Sequence, residues 1–249
     1  MIVHHLAFAV FLVGTAARIA RWLKAPVPFH LTLFPTPPNT IGKVRAMATE
    51  LFLARTLFRE DRLLWLWSGL LHVSLALVLA GHVLGITFLR GQFTLVGLSL
   101  QASHALSSTL GEAAGAAMAI ALAGLFFRRV ALPKIRRLSG PASFFDLFLL
   151  LAIALSGLSM SVPRFAVRLP EVRTYMGALL TFRSAPLPHS PAFVIHLFLV
   201  DLLLFYFPFS RLLHSAGFFF GHAMLLESPP TYPTPASAAP RSAFAAKES

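Results

Sequence analysis

Apolar residues in this chain run in long blocks rather than in the short alternations of a soluble fold. Five blocks reach the roughly 20 residues that a helix needs to cross a bilayer: 3–23, 64–89, 107–127, 142–162 and 191–213. They predict an all-α integral membrane bundle of five transmembrane helices. Polar stretches separate the blocks. The first contains Pro26, Pro28, Pro35, Pro37 and Pro38, then a segment near Lys43 to Leu57 whose pattern predicts a short amphipathic helix on the membrane surface. Residues 228–249 are rich in Pro, Ala and Ser and predict a tail that is disordered or docks on a partner. No long internal repeat is present, so residues 1–227 read as one five-helix domain followed by that tail.

Composition agrees with the pattern. The chain has 249 residues, of which 57% are hydrophobic, and a mean hydropathy of +0.74. Only 12% are charged, about half the share in a soluble domain. There is no cysteine, which excludes disulfides, iron–sulfur clusters and thiolate zinc sites on this chain. Any such centre belongs to a partner. The net charge of +12 raises the question of nucleic acid. The basic residues lie between apolar blocks, however, so they report membrane topology and contact with lipid, and no nucleic-acid partner is expected.

The first apolar run, about Leu6 to Ala20, carries its positive charge at and just after its C-terminal end, as Arg18, Arg21 and Lys24, rather than before it. It reads as a first membrane helix and not as a secretory signal. Of the 21 Lys and Arg residues, sixteen fall in the loop after the first block, the loop after the third, and the C-terminal region. The other five are Arg90, Arg164, Arg168, Arg173 and Arg183. The positive-inside rule then predicts an N-terminus outside and a C-terminus in the cytoplasm, in a cell inner membrane. Helix two runs outward and helix five inward.

Ten histidines are present. His4, His5, His30, His189 and His222 lie at ends or in loops, where a solvated role is the default. His72, His82, His196 and His214 occupy two apolar helices, where an ionisable side chain is costly and usually functional. His72 and His82 are ten residues apart, about 15 Å along a helix, while His196 and His214 are eighteen apart, about 27 Å. Eighteen residues make five turns, which predicts one face of helix five for both. Because the helices are antiparallel, His72 pairs with His214 toward the cytoplasm and His82 with His196 toward the outside. Each pair can clamp one haem iron between two imidazoles, an arrangement suited to electron transfer rather than oxygen binding. Helix tilt and a kink at Pro208 reduce the mismatch between the two spacings. Gly69, Gly81 and Gly85 let a flat macrocycle approach helix two. The alternative is four buried histidines hydrogen-bonding between helices.

The runs GLLHVSLALVLAGHVLG (69–85) and HLFLVDLLLFYFPFSRLLH (196–214) resemble the gamma subunit of respiratory nitrate reductase, a family of dihaem membrane cytochromes b. The likeness extends to the exit of helix three at Arg128 and Arg129 and to Asp146 near the start of helix four. It implies two haems b. Quinol is oxidised in the membrane, and electrons pass through an outer haem on His82 and His196 and an inner one on His72 and His214. They then reach a cytoplasmic iron–sulfur subunit and a catalytic subunit. No substrate-reducing site is expected on this chain. The stretch TLFREDRLLWLWSGLLH (56–72) is closer to relatives in heterodisulfide-reductase-like or sulfite-reduction complexes. The nitrate reductase family carries a lysine before helix three that is implicated in quinol binding. Here that region reads SLQASHALSS, and His104 is the nearby substitute.

Quinol oxidation needs a polar group that takes a proton. Gly81, His104 and Glu112 are the candidates near the outer face. Solvation is the competing reading for His104, and a favourable position near the helix N-terminus is the competing reading for Glu112. Arg211, with Arg128 or Arg129, is placed to meet haem propionates on the cytoplasmic side, where positive-inside anchoring is the competing reading. Gly111 and Gly115 form a GxxxG suited to close helix packing. Asp201 lies inside the fifth apolar block and requires an interior partner. A histidine-containing membrane anchor or transporter without haem is the competing function.

Overall fold

The structure is a computed structural model and describes residues 2–24, 39–89, 91–215 and 217. Among these, helices are the only regular elements: α1 (Ile2–Lys24), α2 (Thr40–Leu53), α3 (Arg55–Glu60), α4 (Arg62–Ala80), α5 (Leu100–Ala131), α6 (Pro133–Leu138), α7 (Pro141–Ser159), α8 (Leu169–Leu180) and α9 (Pro191–Tyr206). Five are long and apolar enough to cross a membrane: α1, α4, α5, α7 and α9. Each corresponds to one predicted block. The tail at 228–249 and the prolines at 26–38 lie outside the described residues.

Two compact units are formed. The first comprises Met1–Thr15 with Leu57–Leu212, the second Ala16–Thr56 with Leu213–Ser249. In the first, α4, α5, α7 and α9 pack in sequence order as antiparallel neighbours. Leu71, Met118, Ala121, Leu122, Leu147, Leu150 and Ala154 form the common core. Small side chains set the spacing. At Gly124 an added Cβ would lie 2.7 Å from the Trp67 ring, and at Gly115 3.0 Å from Leu158. Outward, Leu77, Ile120, Phe148 and Phe198 are each more than half exposed, the pattern of a surface solvated by lipid. A second, smaller cluster gathers Val172 and Tyr175 of α8 with Phe193 of α9.

Local signals explain the helix ends. Asp61 caps α4, its side chain accepting from the Leu64 amide at 2.8 Å, and also pairs with Arg128 at the end of α5. Ser99 caps α5, and Ser190 caps α9 with Pro191 at its first position.

Helix two does not continue as α-helix to residue 89. From Gly81 to Phe88 it is a π-helix, and His82 sits on that segment. π-helical turns are frequent at functional sites. Helix five ends at Tyr206, before its expected limit at 213. Two 3₁₀ turns follow, Phe207–Phe209 and Arg211–Leu213. Pro208 supplies no N–H to the helical ladder, and it packs against α1, where a Cβ on Gly14 would lie 2.8 Å from the proline ring. The expected kink is therefore a helix terminus, and the face relation between His196 and His214 is not that of one unbroken α-helix.

In the second unit, Asn39 caps α2 by accepting from the Gly42 amide at 2.8 Å. The chain then turns at Ala54, a non-glycine residue with φ of 43°, and the Glu50 carboxylate accepts from the hydroxyl of Thr56 at 3.0 Å. The amphipathic helix expected near 43–57 is thus broken at Ala54.

Candidate functional site

His82 on the π-helical turn and His196 on α9 face one another within the first unit. Their ring centres are 6.3 Å apart and the ring planes differ by 23°. An imidazole nitrogen binds a first-row metal at about 2.0–2.1 Å, so two rings gripping one ion from opposite sides have centres roughly 6 Å apart. The observed separation fits that arrangement.

The second ring nitrogen is accounted for. Nδ1 of His82 is 2.7 Å from the carbonyl oxygen of Val78, four residues back on its own helix. His72 makes the same bond to Ser68 at 2.7 Å. For His196 the acceptor is the carbonyl of Ile153 on α7, at 3.1 Å, with the Ser156 hydroxyl at 3.0 Å. Only an Nδ1–H can donate to a carbonyl. All three rings therefore take the tautomer that presents Nε2 as a lone-pair donor, as in metal-binding histidines whose other ring N–H is held by a carbonyl. Gly157 leaves room for the His196 ring, whose Cε1 is 3.3 Å from where a glycine-replacing Cβ would stand. At Gly69 and Gly81 a Cβ would meet nothing within 4 Å, whereas at Gly85 it would lie 3.3 Å from the Gln92 side-chain oxygen, so the space expected beside Gly85 is taken by Gln92. These features fit a haem held by two imidazoles. Among the described residues, no three His, Cys, Asp or Glu side chains converge as an alternative metal site. His72 lies in the first unit, exposed on α4; His214 belongs to the second, exposed at the start of a helical stretch.

Beside His82 lies a cavity of about 390 Å³, within the usual range of small-molecule sites. Its walls are mostly apolar, and its polar side chains are His82, Gln92, His104, Ser107, Ser108 and Arg173, with Gly81, Gly85 and Gly111 also among the lining residues. The Gln92 side chain donates to the Ser107 hydroxyl at 2.7 Å. The predicted residues Gly81 and His104 are thus brought together. Glu112 is exposed on α5 and is not among the described lining residues.

At the opposite end of the first unit, Arg129 donates to the Ser143 carbonyl and Arg211 to the Ser143 hydroxyl, each at 2.7 Å. Asp146 is buried on the same helix. Arg128 is instead engaged by Asp61. The carboxyl of Asp61 is held below its usual range, first by the hydrogen bond from the Leu64 amide and further by the Arg128 charge, against a desolvation effect that raises it.

His4 departs from its expected solvated role. It pairs with the buried Asp201, and Tyr175 meets its ring edge-on at 5.9 Å. The interior partner that Asp201 requires therefore comes from α1. His5 bonds the Leu179 carbonyl at 2.9 Å and stacks on Phe182. The Tyr175 hydroxyl is raised above its usual range by burial, with the Asp201 charge adding to it. An apolar stretch that opens with two histidines carried no sequence signal separating an anchored pair from a solvated one.

Residues 46–229 match the family described as nitrate reductase gamma subunit. The chain belongs to that family. It is 31% identical to the Hdr-like menaquinol oxidoreductase cytochrome b-like subunit of Archaeoglobus fulgidus, over 88% of this chain and 76% of that one. It is also 31% identical to the nitrate reductase gamma chain of Bacillus subtilis, over 62% of this chain and 73% of that one. The respiratory nitrate reductase 2 gamma chain of Escherichia coli is 29% identical, over 62% and 72% respectively. As a gamma-family member with five candidate spans, the chain is a multi-pass membrane protein, and a cytochrome b-like family implies haem.

Proposed function

We propose that this chain is the membrane cytochrome b subunit of a quinol-oxidising complex. It holds two haems b and delivers electrons to a cytoplasmic iron–sulfur partner. The observation that carries the reading is the His82–His196 pair, with ring centres 6.3 Å apart and the Nδ1 atoms of both rings tied to carbonyls. His82 and His196 hold the outer haem, and His72 and His214 hold the inner one. The N-terminus lies outside and the C-terminus in the cytoplasm of the inner membrane, as the distribution of basic residues implies. Residues 1–227 make the membrane domain and 228–249 its tail.

When bound, a haem held by two imidazoles would supply a one-electron relay rather than an oxygen-binding centre. The remaining chemistry belongs to the protein. The cavity beside His82 receives the quinol head group, with its apolar walls against the ring and tail. His104 and the serine hydroxyls meet the quinol oxygens, and His104 takes a proton as the quinol is oxidised. Arg129 and Arg211, both ordered by Ser143, supply cations for the propionates of the inner haem.

The Hdr-like relative aligns over 88% of this chain, against 62% for the nitrate reductase chains. That wider match favours a heterodisulfide-reductase-like iron–sulfur acceptor over a nitrate reductase one. The deciding experiment is the absorption spectrum of the purified protein. Two b-type haems reducible by a menaquinol analogue are expected. A colourless protein, correctly inserted, would leave the haem-free anchor or transporter.

A further inference from the structure

We propose that Gln92 is the specificity-determining residue of the cavity beside His82: its side-chain oxygen accepts a hydrogen bond from a quinol hydroxyl, a bond that the quinone product cannot offer. This rests on the reading of that cavity as the quinol site.

Hydrogen-bond polarity decides which end of the Gln92 amide meets a ligand. Ser103 and Ser107 lie one turn apart on α5, and Ser103 is fully buried. The Ser107 hydroxyl donates to the Ser103 carbonyl at 2.7 Å. A hydroxyl has one proton, so toward Gln92 it can only accept, and Nε2 of Gln92 donates to it at 2.7 Å. The amide is thereby held with its NH2 group on α5, and Oε1 is left as a lone-pair acceptor. Among the described residues Oε1 takes no hydrogen bond. It lies on the Gly85 side, where a Cβ on that glycine would stand 3.3 Å from it, and Gln92 and Gly85 both line the cavity. The backbone is fixed as well. Gln92 opens a 3₁₀ turn, Gln92–Val96, whose Phe93 amide donates to the Ser103 hydroxyl at 3.1 Å. Two serines of one helix therefore anchor both the turn and its first side chain, so the acceptor is set in place before a ligand arrives.

Quinol and quinone share a ring and differ at the oxygens. Each quinol oxygen carries an O–H, whereas each quinone oxygen offers lone pairs alone. Opposite Oε1, a quinol hydroxyl completes a hydrogen bond, while a quinone carbonyl sets lone pair against lone pair. A site built to hydrogen-bond a hydroxyl rejects the analogue that lacks it. The cavity thus holds the substrate and releases the product. An amide oxygen is too weak a base to take the proton at neutral pH, so Gln92 selects and orients the quinol, and proton transfer stays with His104.

The test uses the full-length, haem-loaded protein in detergent. Binding of 1,4-dihydroxynaphthalene is measured anaerobically with the haems reduced, and binding of 1,4-naphthoquinone with the haems oxidised, so that neither probe exchanges electrons. Gln92→Leu is expected to weaken the quinol about five- to a hundredfold, as for a buried donor left without its partner, and to leave the quinone unchanged or tighter. Gln92→Glu keeps an acceptor oxygen but loses the donor to Ser107, and should keep the preference for quinol. The haem spectrum reports correct assembly. If Gln92→Leu does not assemble, Gln92→Met, of similar length and without the oxygen, carries the same expectation. An unchanged quinol-to-quinone affinity ratio in Gln92→Leu overturns the proposal. So does loss of the preference in Gln92→Glu, since that marks a brace on the turn instead of an acceptor. Gly111→Leu tests the cavity itself. Gly111 lines it, and a Cβ there meets nothing within 4 Å, so the leucine side chain takes up its space. If Gly111→Leu blocks both probes while Gln92→Leu affects neither, the cavity reading stands and the Gln92 assignment falls. If Gly111→Leu leaves both probes bound, the cavity reading falls and this proposal with it.

Discussion

Replacing Gly157 by alanine separates the stability of the fold from the grip on the outer haem proposed at His82 and His196. The new Cβ would stand 3.3 Å from Cε1 and 3.5 Å from Nδ1 of His196. Carbon atoms settle at about 3.5–4.0 Å, so the ring must retreat by roughly 0.2–0.7 Å. That is comparable to the tolerance of about 0.5 Å within which a functional constellation must be held. The retreat also disturbs the hydrogen bonds from Nδ1 to Ile153 and Ser156. Disturbing the hydrogen-bond partner of a metal ligand costs about 10- to 100-fold in affinity, or about 1.4–2.8 kcal/mol. Backbone propensity acts in the opposite sense, because alanine in a helix interior is favoured over glycine by about 1 kcal/mol. The variant is therefore expected to keep its thermal stability while its outer haem is released more readily and titrates at a shifted potential. Haem retention against a haem-scavenging apoprotein, together with a redox titration of the α band, measures both. Gly177→Ala on α8, where a Cβ meets nothing within 4 Å, is the control and should leave both readings unchanged. Outer-haem affinity and potential equal to those of the parent protein in Gly157→Ala would refute the reasoning.

His82→Ala and His196→Ala should each reduce the haem content from two to one and abolish reduction by a menaquinol analogue; retention of both haems would count against the ligand assignment. His4→Ala leaves the buried carboxylate of Asp201 without its imidazole and should cost about 3–5 kcal/mol in a detergent unfolding titration. The double variant with Asp201→Asn should recover much of that loss. Because the Asp61 carboxyl titrates below its ordinary value of 3.8, its contribution is present above that pH and is lost as pH falls through the folded-state value. The melting temperature of Asp61→Asn, which keeps a capping side chain, should accordingly fall less steeply on acidification than that of the parent protein.

The five spans were legible because membrane insertion demands uninterrupted apolar length, a property of the sequence alone. The facing of His82 and His196 was legible for a similar reason, since antiparallel order fixes which residues share a level. What was hidden depends on local geometry that many sequences tolerate. Nothing in GHVLGITF (81–88) announces a π-helical turn. Pro208 signals a disturbance, yet whether it bends a helix or ends it depends on what packs beside it, here α1 at Gly14. His4 read as a terminal, hydrated residue because its partner is nearly two hundred positions away. Arg173 counted toward topology for the same reason, since its place at the cavity wall is set by α8 packing on the end of helix two.

The two halves of the imidazole clamp mature differently. On α4 and its π-helical extension, the acceptor for each ring lies four residues back on the same strand of backbone. Those rings are aimed as soon as the segment coils. The ring on α9 borrows its acceptor from α7, so it is aimed only when those two helices have docked. Under the proposed ligand assignment, one jaw is preset at insertion and the other closes with tertiary assembly, which would make porphyrin capture a late event that reports on a correctly built bundle.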